Sequence, residues 1–503
     1  MMKRDVVTIG QATLEAPNAA SNQGEPRDEQ GNQSLATSSS DSPLAEGQSE
    51  LSSQDVAASS LAVPPWQTRS WEKYRLTGQA PLLRAEGNSL TRNPLKLKRR
   101  DVDAPKIGSD TRIWGLNFTE FCLLIAACFG FIALVLIFSQ SATLQTLAFL
   151  ALIALIPLFA ITLVFRLLER WVPLPRRFPF LAFLCGAGIA TALAVCANST
   201  LMVDAMYYTG NEVWAEVITS VVVAPLTEEG FKGICTLLIL LLARRYVVSP
   251  LNGAVIGAMT AAGFAFVENI EYFSEGLSQG TAMLGMTFFM RAVMSPFMHP
   301  MATSMIGLFM ALAILKDGKW WSWTWRLVTG QVLAMSAHAL WNGLASIASN
   351  FYFAYLLVEL PLFIIWMVSM QTAASRQPAT ISAGLAAYRE TGWIIDSEIH
   401  MVCTPEGRKY ARKWARKVGS KARPAVRSFR INAGRVGLNQ VRLAKGNPNR
   451  YRMEEDRRFL SKMIKARRVF LEEGEKYAKS LELERRRHLQ QADGYNGGAR
   501  RRC

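Results

Sequence analysis

Long apolar runs dominate the middle of the 503-residue chain, whereas both ends are polar. Residues 111–370 hold nearly all of these runs, and a run of about 20 apolar residues is long enough to cross the hydrocarbon core as a helix. The pattern therefore predicts an all-α, polytopic membrane bundle. Eight spans are expected, at 118–138, 142–165, 179–199, 214–243, 251–273, 283–315, 327–348 and 351–370. Pro225, Pro296 and Pro300 are expected to kink or break the two longest spans.

The loops between these spans alternate in charge. Basic residues mark every second loop: Arg166, Arg170, Arg176, Arg177, Arg244, Arg245, Lys316, Lys319 and Arg326. The loops between them are acidic or nearly uncharged, with Asp204, Glu212, Glu271 and Glu275. By the positive-inside rule, this alternation predicts an even number of crossings with both termini in the cytoplasm. No eukaryotic organelle address is evident, which favours a bacterial plasma membrane.

The polar ends predict two further regions. Residues 1–110 are rich in Ser and Gln and close with the basic stretch 92–100, so a disordered arm is expected there. Residues 371–503 hold 31 Lys and Arg against 13 Asp and Glu, in a chain of net charge +17. This basic tail suggests attraction to anionic lipid. Nucleic acid is disfavoured as a partner because no recognition motif is present.

Two amphipathic helices are expected in the tail, around 405–420 and 452–490. The second carries Phe459, Met463, Ile464, Phe470, Tyr477 and Leu481 among many charges. A solvated cytoplasmic helix explains this pattern, and so does a helix that lies on lipid or on a partner.

Ionisable residues inside the spans are costly, so each suggests a function. The fourth span carries Glu228, Glu229 and Lys232. Two adjacent carboxylates cannot both be comfortably ionised in a low dielectric, and a helix brings Lys232 within reach of either. One of them is then a candidate base for activating water, although a structural ion pair would use the same residues.

Three other spans carry polar clusters. The fifth has Phe264, Glu268 and Asn269, and the sixth has Arg291 and His299. In the seventh, His338 and Asn342 share a helix face, where they could donate to an oxyanion or bind a metal. Each cluster alone also fits helix packing or exposure to water. Together they favour one shared polar cavity suited to amide hydrolysis.

At these residues the sequence resembles the PrsW family of intramembrane proteases, which is related to the CAAX prenyl endopeptidases. The matching pieces occur in order along roughly 210–345: Glu228-Glu229-x-x-Lys232, Phe264-x-x-x-Glu268-Asn269, His299 and His338-x-x-Trp341-Asn342. The resemblance implies a multi-span peptidase that cuts a membrane-associated protein substrate.

The resemblance also implies roles for the site residues. Glu228 or Glu229 activates the attacking water, with Glu229 slightly favoured, and Asn342 stabilises the oxyanion. Glu268 is a ligand or orients a histidine, while His299 and His338 bind a metal or hydrogen-bond the water. Glu229, His299 and His338 are the candidate zinc ligands. A catalytic zinc takes three protein ligands, but HExxH is absent and a metal-free glutamate mechanism needs the same residues.

Two other function classes compete with the peptidase. A membrane transporter or proton-coupled channel would also use intramembrane ionisable residues and proline-broken spans. Against it, the polar motifs occur once each and no internal repeat is apparent. A membrane scaffold would use the polar residues only for packing, and it predicts that Glu229→Gln leaves every activity intact.

Overall fold

The computed structural model describes residues 112–113, 116–316, 320–347, 350–390, 392–445 and 450–499. The predicted Ser/Gln-rich arm lies outside the described residues. A short antiparallel hairpin, β1 (Arg112–Ile113) and β2 (Leu116–Asn117), leads directly into the first helix. Almost all of the remaining described structure is helical, which confirms the predicted all-α class.

Within the described residues, the membrane region contains ten helices, several of which contain or adjoin π-helical turns. In chain order they are α1 (Phe118–Phe138), α2 (Leu144–Leu168), α3 (Arg177–Thr209), α4 (Glu212–Ile218), α5 (Ala224–Ala243), α6 (Pro250–Ser278), α7 (Thr281–Phe288), α8 (Met298–Leu315), α9 (Trp320–Ile347) and α10 (Phe351–Glu390). A π-helical turn, Thr219–Val223, joins α4 to α5. Each of the eight predicted spans falls on helical structure.

In the part of the chain that the structure describes, six segments are long and apolar enough to cross a membrane: α1, α2, α3, α6, Thr281–Leu315 and α10. The predicted number of eight crossings is therefore not confirmed. The predicted fourth and seventh spans correspond to α4–α5 and to α9. Charges lower the apolar character of α5, and Gln331, His338 and Asn342 lower that of α9. These two helices carry much of the predicted site.

The prolines lie where helices change their course. Pro225 follows the π-helical turn that opens α5, and Pro296 lies in the break Ser295–Phe297 between a π-helical turn and α8. A proline lacks the donor that would continue the ladder of backbone hydrogen bonds. The break ends one residue before Met298, so it places His299 in the first turn of α8.

Helix α6 runs through the centre of the bundle and is buried along most of its length. Helix α6 lies very close to α8. A Cβ atom added at Gly257 would stand only 2.2 Å from the backbone oxygen of Thr303. No larger residue fits at this contact without moving one of the two helices. The close approach fixes α8 against α6 at the level of Thr303.

Beyond the membrane region, the chain continues into four more helices: α11 (Asp396–Cys403), α12 (Pro405–Val418), α13 (Ala422–Lys445) and α14 (Arg450–Ala499). Together with the end of α10 they enclose a hydrophobic core that includes Tyr388, Phe429, Phe459 and Phe470. The apolar stripe of the predicted 452–490 helix thus packs inside the protein through Phe459, Met463 and Phe470. Trp171 and Val172, from the loop after α2, belong to the same core.

Candidate active site

Four helices carry the ionisable side chains of the site. Helix α5 supplies Glu228, Glu229 and Lys232, α6 supplies Glu268, α8 supplies His299 and α9 supplies His338. Each of these side chains lies at a similar distance from one end of its helix, about 21–27 Å at 1.5 Å per residue. The distance is counted from Ala243 to Glu229, from Pro250 to Glu268, from Leu315 to His299 and from Trp320 to His338. Those helix ends are joined in pairs by short connections, so the four side chains meet at one level of the bundle.

Lys232 lies at the centre of this cluster and is fully buried. Its Nζ donates to Glu228 Oε2 at 3.2 Å and to Glu229 Oε1 at 2.9 Å, and it lies 3.1 Å from His299 Nδ1. The ammonium also stands 3.7 Å from the ring centroid of Phe264. A buried cation is costly unless charged or polar partners compensate it. Here one lysine compensates the two neighbouring glutamates and holds both in place.

Glu229 has partners on both carboxylate oxygens and is fully buried. Oε1 is bonded to Lys232 and lies 3.2 Å from His338 Nδ1, while Oε2 accepts from the Thr303 hydroxyl at 2.7 Å. A carboxylate on Nδ1 fixes the orientation of the imidazole and leaves Nε2 to face the opposite way. Glu229 therefore orients His338.

Glu268 belongs to a second ion pair on the partly open side of the cluster. Arg291 Nη2 donates to Glu268 Oε2 at 2.5 Å, and Arg291 Nε donates to Asn269 Oδ1 at 2.7 Å. The side chains of Glu268 and Arg291 are 13% and 18% exposed, whereas Glu229 and Lys232 have no exposure. The Glu268 and Arg291 side is therefore the less enclosed side of the cluster.

Glu228, His299 and His338 surround a position of the size a metal ion or a water molecule needs. One ligand atom of each lies within 4.8 Å of the others. His338 Nε2 is 3.9 Å from Glu228 Oε2. His299 Nε2 lies 2.7 Å from Glu268 Oε2, so this buried nitrogen contacts the carboxylate of the second ion pair.

This donor set fits zinc, which accepts two histidines and one carboxylate at a catalytic site. His338 has the usual second contact of a zinc-binding histidine, a carboxylate on the other ring nitrogen. Lys232 Nζ lies at Nδ1 of His299. A neutral imidazole accepts through only one nitrogen, so a metal bound at Nε2 of His299 would have to displace Lys232 from Nδ1.

The structure brings together six of the eight predicted site residues: Glu228, Glu229, Lys232, Glu268, His299 and His338. Asn269 reaches this cluster through Arg291. Asn342 does not contact it, because its Nδ2 donates to the backbone oxygen of Ser220 at 2.7 Å. The metal-sized group contains Glu228 where the sequence analysis expected Glu229. Both oxygens of each glutamate already accept a hydrogen bond, and Glu228 is the less enclosed of the two.

Three contacting residues were not among the predicted site residues. Arg291 had been noted only as an intramembrane charge, and it pairs with Glu268. Thr303 follows His299 by four residues on one helix face, a spacing that could have revealed it. Asn198 donates to Glu228 Oε1 at 3.3 Å, and its only sequence signal was a carboxamide in an apolar span.

A buried carboxylate and histidine cluster inside a multi-helix membrane bundle suits a membrane-embedded hydrolase. Residues 174–369 match the model of the PrsW family intramembrane metalloprotease, which confirms the predicted resemblance. The chain is a multi-pass membrane protease that is similar to the PrsW family over these residues. No curated protein and no solved structure matches the chain.

Proposed function

We propose that the protein is an intramembrane endopeptidase that hydrolyses a peptide bond of a membrane-associated protein, with a water molecule held among Glu228, His299 and His338. The observation that carries the proposal is the convergence of these side chains from three helices within 4.8 Å of one another. A transporter or channel gains no comparable support, since the family match is to proteases.

Glu228 is the proposed base, although the sequence favoured Glu229. The Glu228 side chain is 9% exposed, and its Oε2 lies 3.9 Å from His338 Nε2, a separation that a water molecule bonded to both atoms can bridge from one side. The water oxygen attacks the carbonyl carbon while its proton passes to Glu228. The C–N bond then breaks as Glu228 passes that proton to the leaving nitrogen. Glu229 is a positioning residue that holds Lys232 and His338.

The negative charge that develops on the carbonyl oxygen needs donors in a site that excludes bulk water. His338 Nε2 is the nearest donor to the proposed water position, and its orientation is set by Glu229. Asn342 lies one helical turn after His338 and is the second proposed donor. To reach the oxyanion, its carboxamide has to leave the Ser220 carbonyl when substrate binds.

A zinc ion would be held by Glu228, His299 and His338. When bound, it would polarise the scissile carbonyl and lower the pKa of the attacking water. The same three side chains surround the water whether or not zinc is present. Chelation with and without added zinc distinguishes the two versions.

We further propose the arrangement of the whole chain in its membrane. Both termini lie in the cytoplasm of a bacterial cell, and the membrane is the plasma membrane. Residues 1–110 form the arm, 111–370 the protease domain and 371–503 the basic tail. The tail attracts anionic lipid, because a surplus of Lys and Arg beside a membrane domain favours an anionic surface.

The proposal is tested by comparing new protein N-termini in membranes of cells that express the wild type or Glu228→Gln. Mass spectrometry of labelled N-termini identifies cleavage products whichever membrane protein is the substrate. The expected result is a set of membrane-protein N-termini that only the active enzyme produces.

The matched control is Glu216→Gln, which removes an exposed carboxylate from α4 on the same helical stack. It is expected to produce the same N-termini as the wild type. Identical N-termini from the wild type, Glu216→Gln and Glu228→Gln would contradict the proposal, provided that all three are present at equal levels in the membrane.

A further inference from the structure

Five arginines gather where the C-terminal helices meet the loop that follows α2. The members of this arginine cluster come from that loop, from α12 and from α13: Arg170, Arg408, Arg412, Arg427 and Arg430. The Cζ atoms of Arg170 and Arg408 lie 5.4 Å and 4.1 Å from the ring centroid of Trp171. Arg412 Nε donates to the backbone oxygen of Arg408 at 3.2 Å. The first turns of α12 and the loop after α2 therefore bring cations together.

Helix α13 packs against the same loop. A Cβ atom added at Gly434 would stand 2.9 Å from Val172 Cγ2, so the helix and the loop are in close contact there. One residue further along, Arg435 Nη2 donates to the backbone oxygen of Pro173 at 2.9 Å. Arg430 lies one helical turn before Gly434 on the same face, which places it beside the loop.

The charge of the arginine cluster is not balanced by carboxylates. None of its members forms an ion pair within the residues that the structure describes. Burial, and then the like charges of Arg412 and Arg427, lower the pKa of Arg430 to about 10. Burial, and then the charge of Arg430, lower the pKa of Arg408 to about 9.

Arg430 also has an unused donor. Its Nε is buried and has no hydrogen-bond partner among the described residues. Arg412 and Arg427, its neighbours in the cluster, are exposed. Cations held together at a partly buried site are costly without a counter-charge. An anion from outside the chain would supply that counter-charge.

The membrane surface lies next to the arginine cluster. Helix α2 is long and apolar enough to cross a membrane, and it ends at Leu168. Leu163 and Leu167 are exposed on its last two turns, as expected for a helix face that meets lipid. Arg170 follows Leu167 by only three residues. The loop and the arginines packed around it therefore lie near the level of the lipid headgroups.

We propose that Arg412, Arg427 and Arg430 bind the phosphate group of an anionic phospholipid. A guanidinium matches the oxygens of a phosphate in geometry as well as in charge. This binding site rests on the proposed attraction of the tail to anionic lipid, but not on peptidase chemistry, because it shares no residue with the protease cluster. A bound headgroup would join α12 to α13 and thereby stabilise the C-terminal helices.

Thermal unfolding of the full chain in phosphatidylcholine nanodiscs, with a rising fraction of phosphatidylglycerol, tests the proposal. Phosphatidylglycerol is expected to raise the unfolding temperature of the wild type. Arg430→Gln is expected to weaken the apparent affinity for phosphatidylglycerol about tenfold, because one charge-assisted donor is lost. Arg427→Gln, an exposed change that folding tolerates, is expected to weaken the affinity in the same direction.

The matched control is Lys413→Gln, which removes an exposed lysine next to Arg412 on α12 but outside the arginine cluster. It is expected to respond to phosphatidylglycerol as the wild type does. The proposal is overturned if phosphatidylglycerol does not stabilise the wild type. It is also overturned if Arg427→Gln and Arg430→Gln respond as Lys413→Gln does, since the effect would then be general attraction of the basic surface.

A second arm titrates inorganic phosphate into the protein in pure phosphatidylcholine nanodiscs. Inorganic phosphate is expected to leave the unfolding temperature unchanged, because it is not held at the membrane surface. An equal rise that disappears in Arg430→Gln would assign the site to a soluble phosphate and overturn the lipid. Since no arm measures cleavage, none of these outcomes depends on the peptidase activity.

Discussion

The protease cluster and the C-terminal helices both bury cations, but they compensate them differently. Lys232 is paired with Glu228 and Glu229, and Arg291 is paired with Glu268. Arg408 instead donates to the backbone oxygens of Arg170, Trp171 and Val402. Burial without a carboxylate partner lowers the pKa of Arg408 to about 9.

This difference separates a reactive site from a structural contact. Carbonyls at the end of a helix attract cations, so Arg408 fixes the loop that follows α2 against the C-terminal helices. Each of its three side-chain nitrogens donates to a backbone oxygen of the protein. In the protease cluster, by contrast, one ligand atom each of Glu228, His299 and His338 lies within 4.8 Å of the others, and 3.9 Å separates His338 Nε2 from Glu228 Oε2.

The largest effect is expected from Lys232→Met. Without the ammonium, two adjacent carboxylates remain buried, and loss of one partner from a buried ion pair costs up to about 5 kcal/mol. Thermal unfolding in detergent should show this loss, and cleavage should stop. Lys316→Met, which removes an exposed lysine at the end of α8, should leave both unchanged. A Lys232→Met protein as stable as the wild type would show that the glutamates do not depend on this cation.

Arg408→Met should have the next largest effect, about 3 kcal/mol, since three carbonyls lose a charged donor. Unfolding should occur at a lower temperature, while the cleavage rate of each folded molecule stays the same. The control is Lys409→Met, which changes the exposed neighbour on α12. If Arg408→Met abolished cleavage in fully folded protein, the contact would have a role in the chemistry as well as in the structure.

Stability should also depend on pH through the C-terminal helices. Burial raises the pKa of Asp456 to about 6. Hydrogen bonds from Asn439, Gln440 and Tyr388 lower the pKa, but the effect of burial is larger. The folded state therefore keeps a proton that the unfolded chain releases, and this stabilisation falls by about 3 kcal/mol as the pH rises from about 4 through about 6.

Asp456→Asn should flatten that part of the profile of unfolding temperature against pH. Burial raises the pKa of Glu169 to about 7, in the same direction, so the share of the slope that comes from Glu169 should remain between about pH 4.5 and about pH 7. An unchanged slope between pH 4 and 6 in Asp456→Asn would rule out this carboxyl as its source.

The smallest effect is expected from Arg486→Gln on the exposed side of α14. Arg486 Nη2 pairs with Glu482 Oε1 at 2.7 Å, but both side chains are well exposed. Solvent and salt screen such a pair, so the unfolding temperature should stay within error of the wild type. A clear decrease would mean that surface pairs, and not only buried ones, hold this helix.

The sequence predicted the membrane region better than the C-terminal region for physical reasons. Apolar runs determine where membrane helices form, and the cost of intramembrane charge pointed to Glu228, Glu268, His299 and His338. Sequence could not show which oxygen each partner uses. The assignment of Glu229 to positioning depends on Thr303 and His338, which come from two other helices.

The C-terminal helices were harder to predict because an amphipathic pattern does not reveal what covers its apolar face. Phe459 and Phe470 fit a lipid surface as well as a protein core. In the structure a protein core covers these side chains, and the loop residue Trp171 packs into the same core from a position far away in sequence. Long-range contacts of this kind leave no local signal.

The most direct test of the account is the cleavage rate of an identified substrate in liposomes that contain wild type, Glu228→Gln or Glu216→Gln. The account predicts that Glu228→Gln is slower than the wild type by about 100-fold or more, as expected for loss of a general base, at an unchanged unfolding temperature. Glu216→Gln should match the wild type. A Glu228→Gln enzyme that cleaves as fast as Glu216→Gln would contradict the assignment of the water to this cluster.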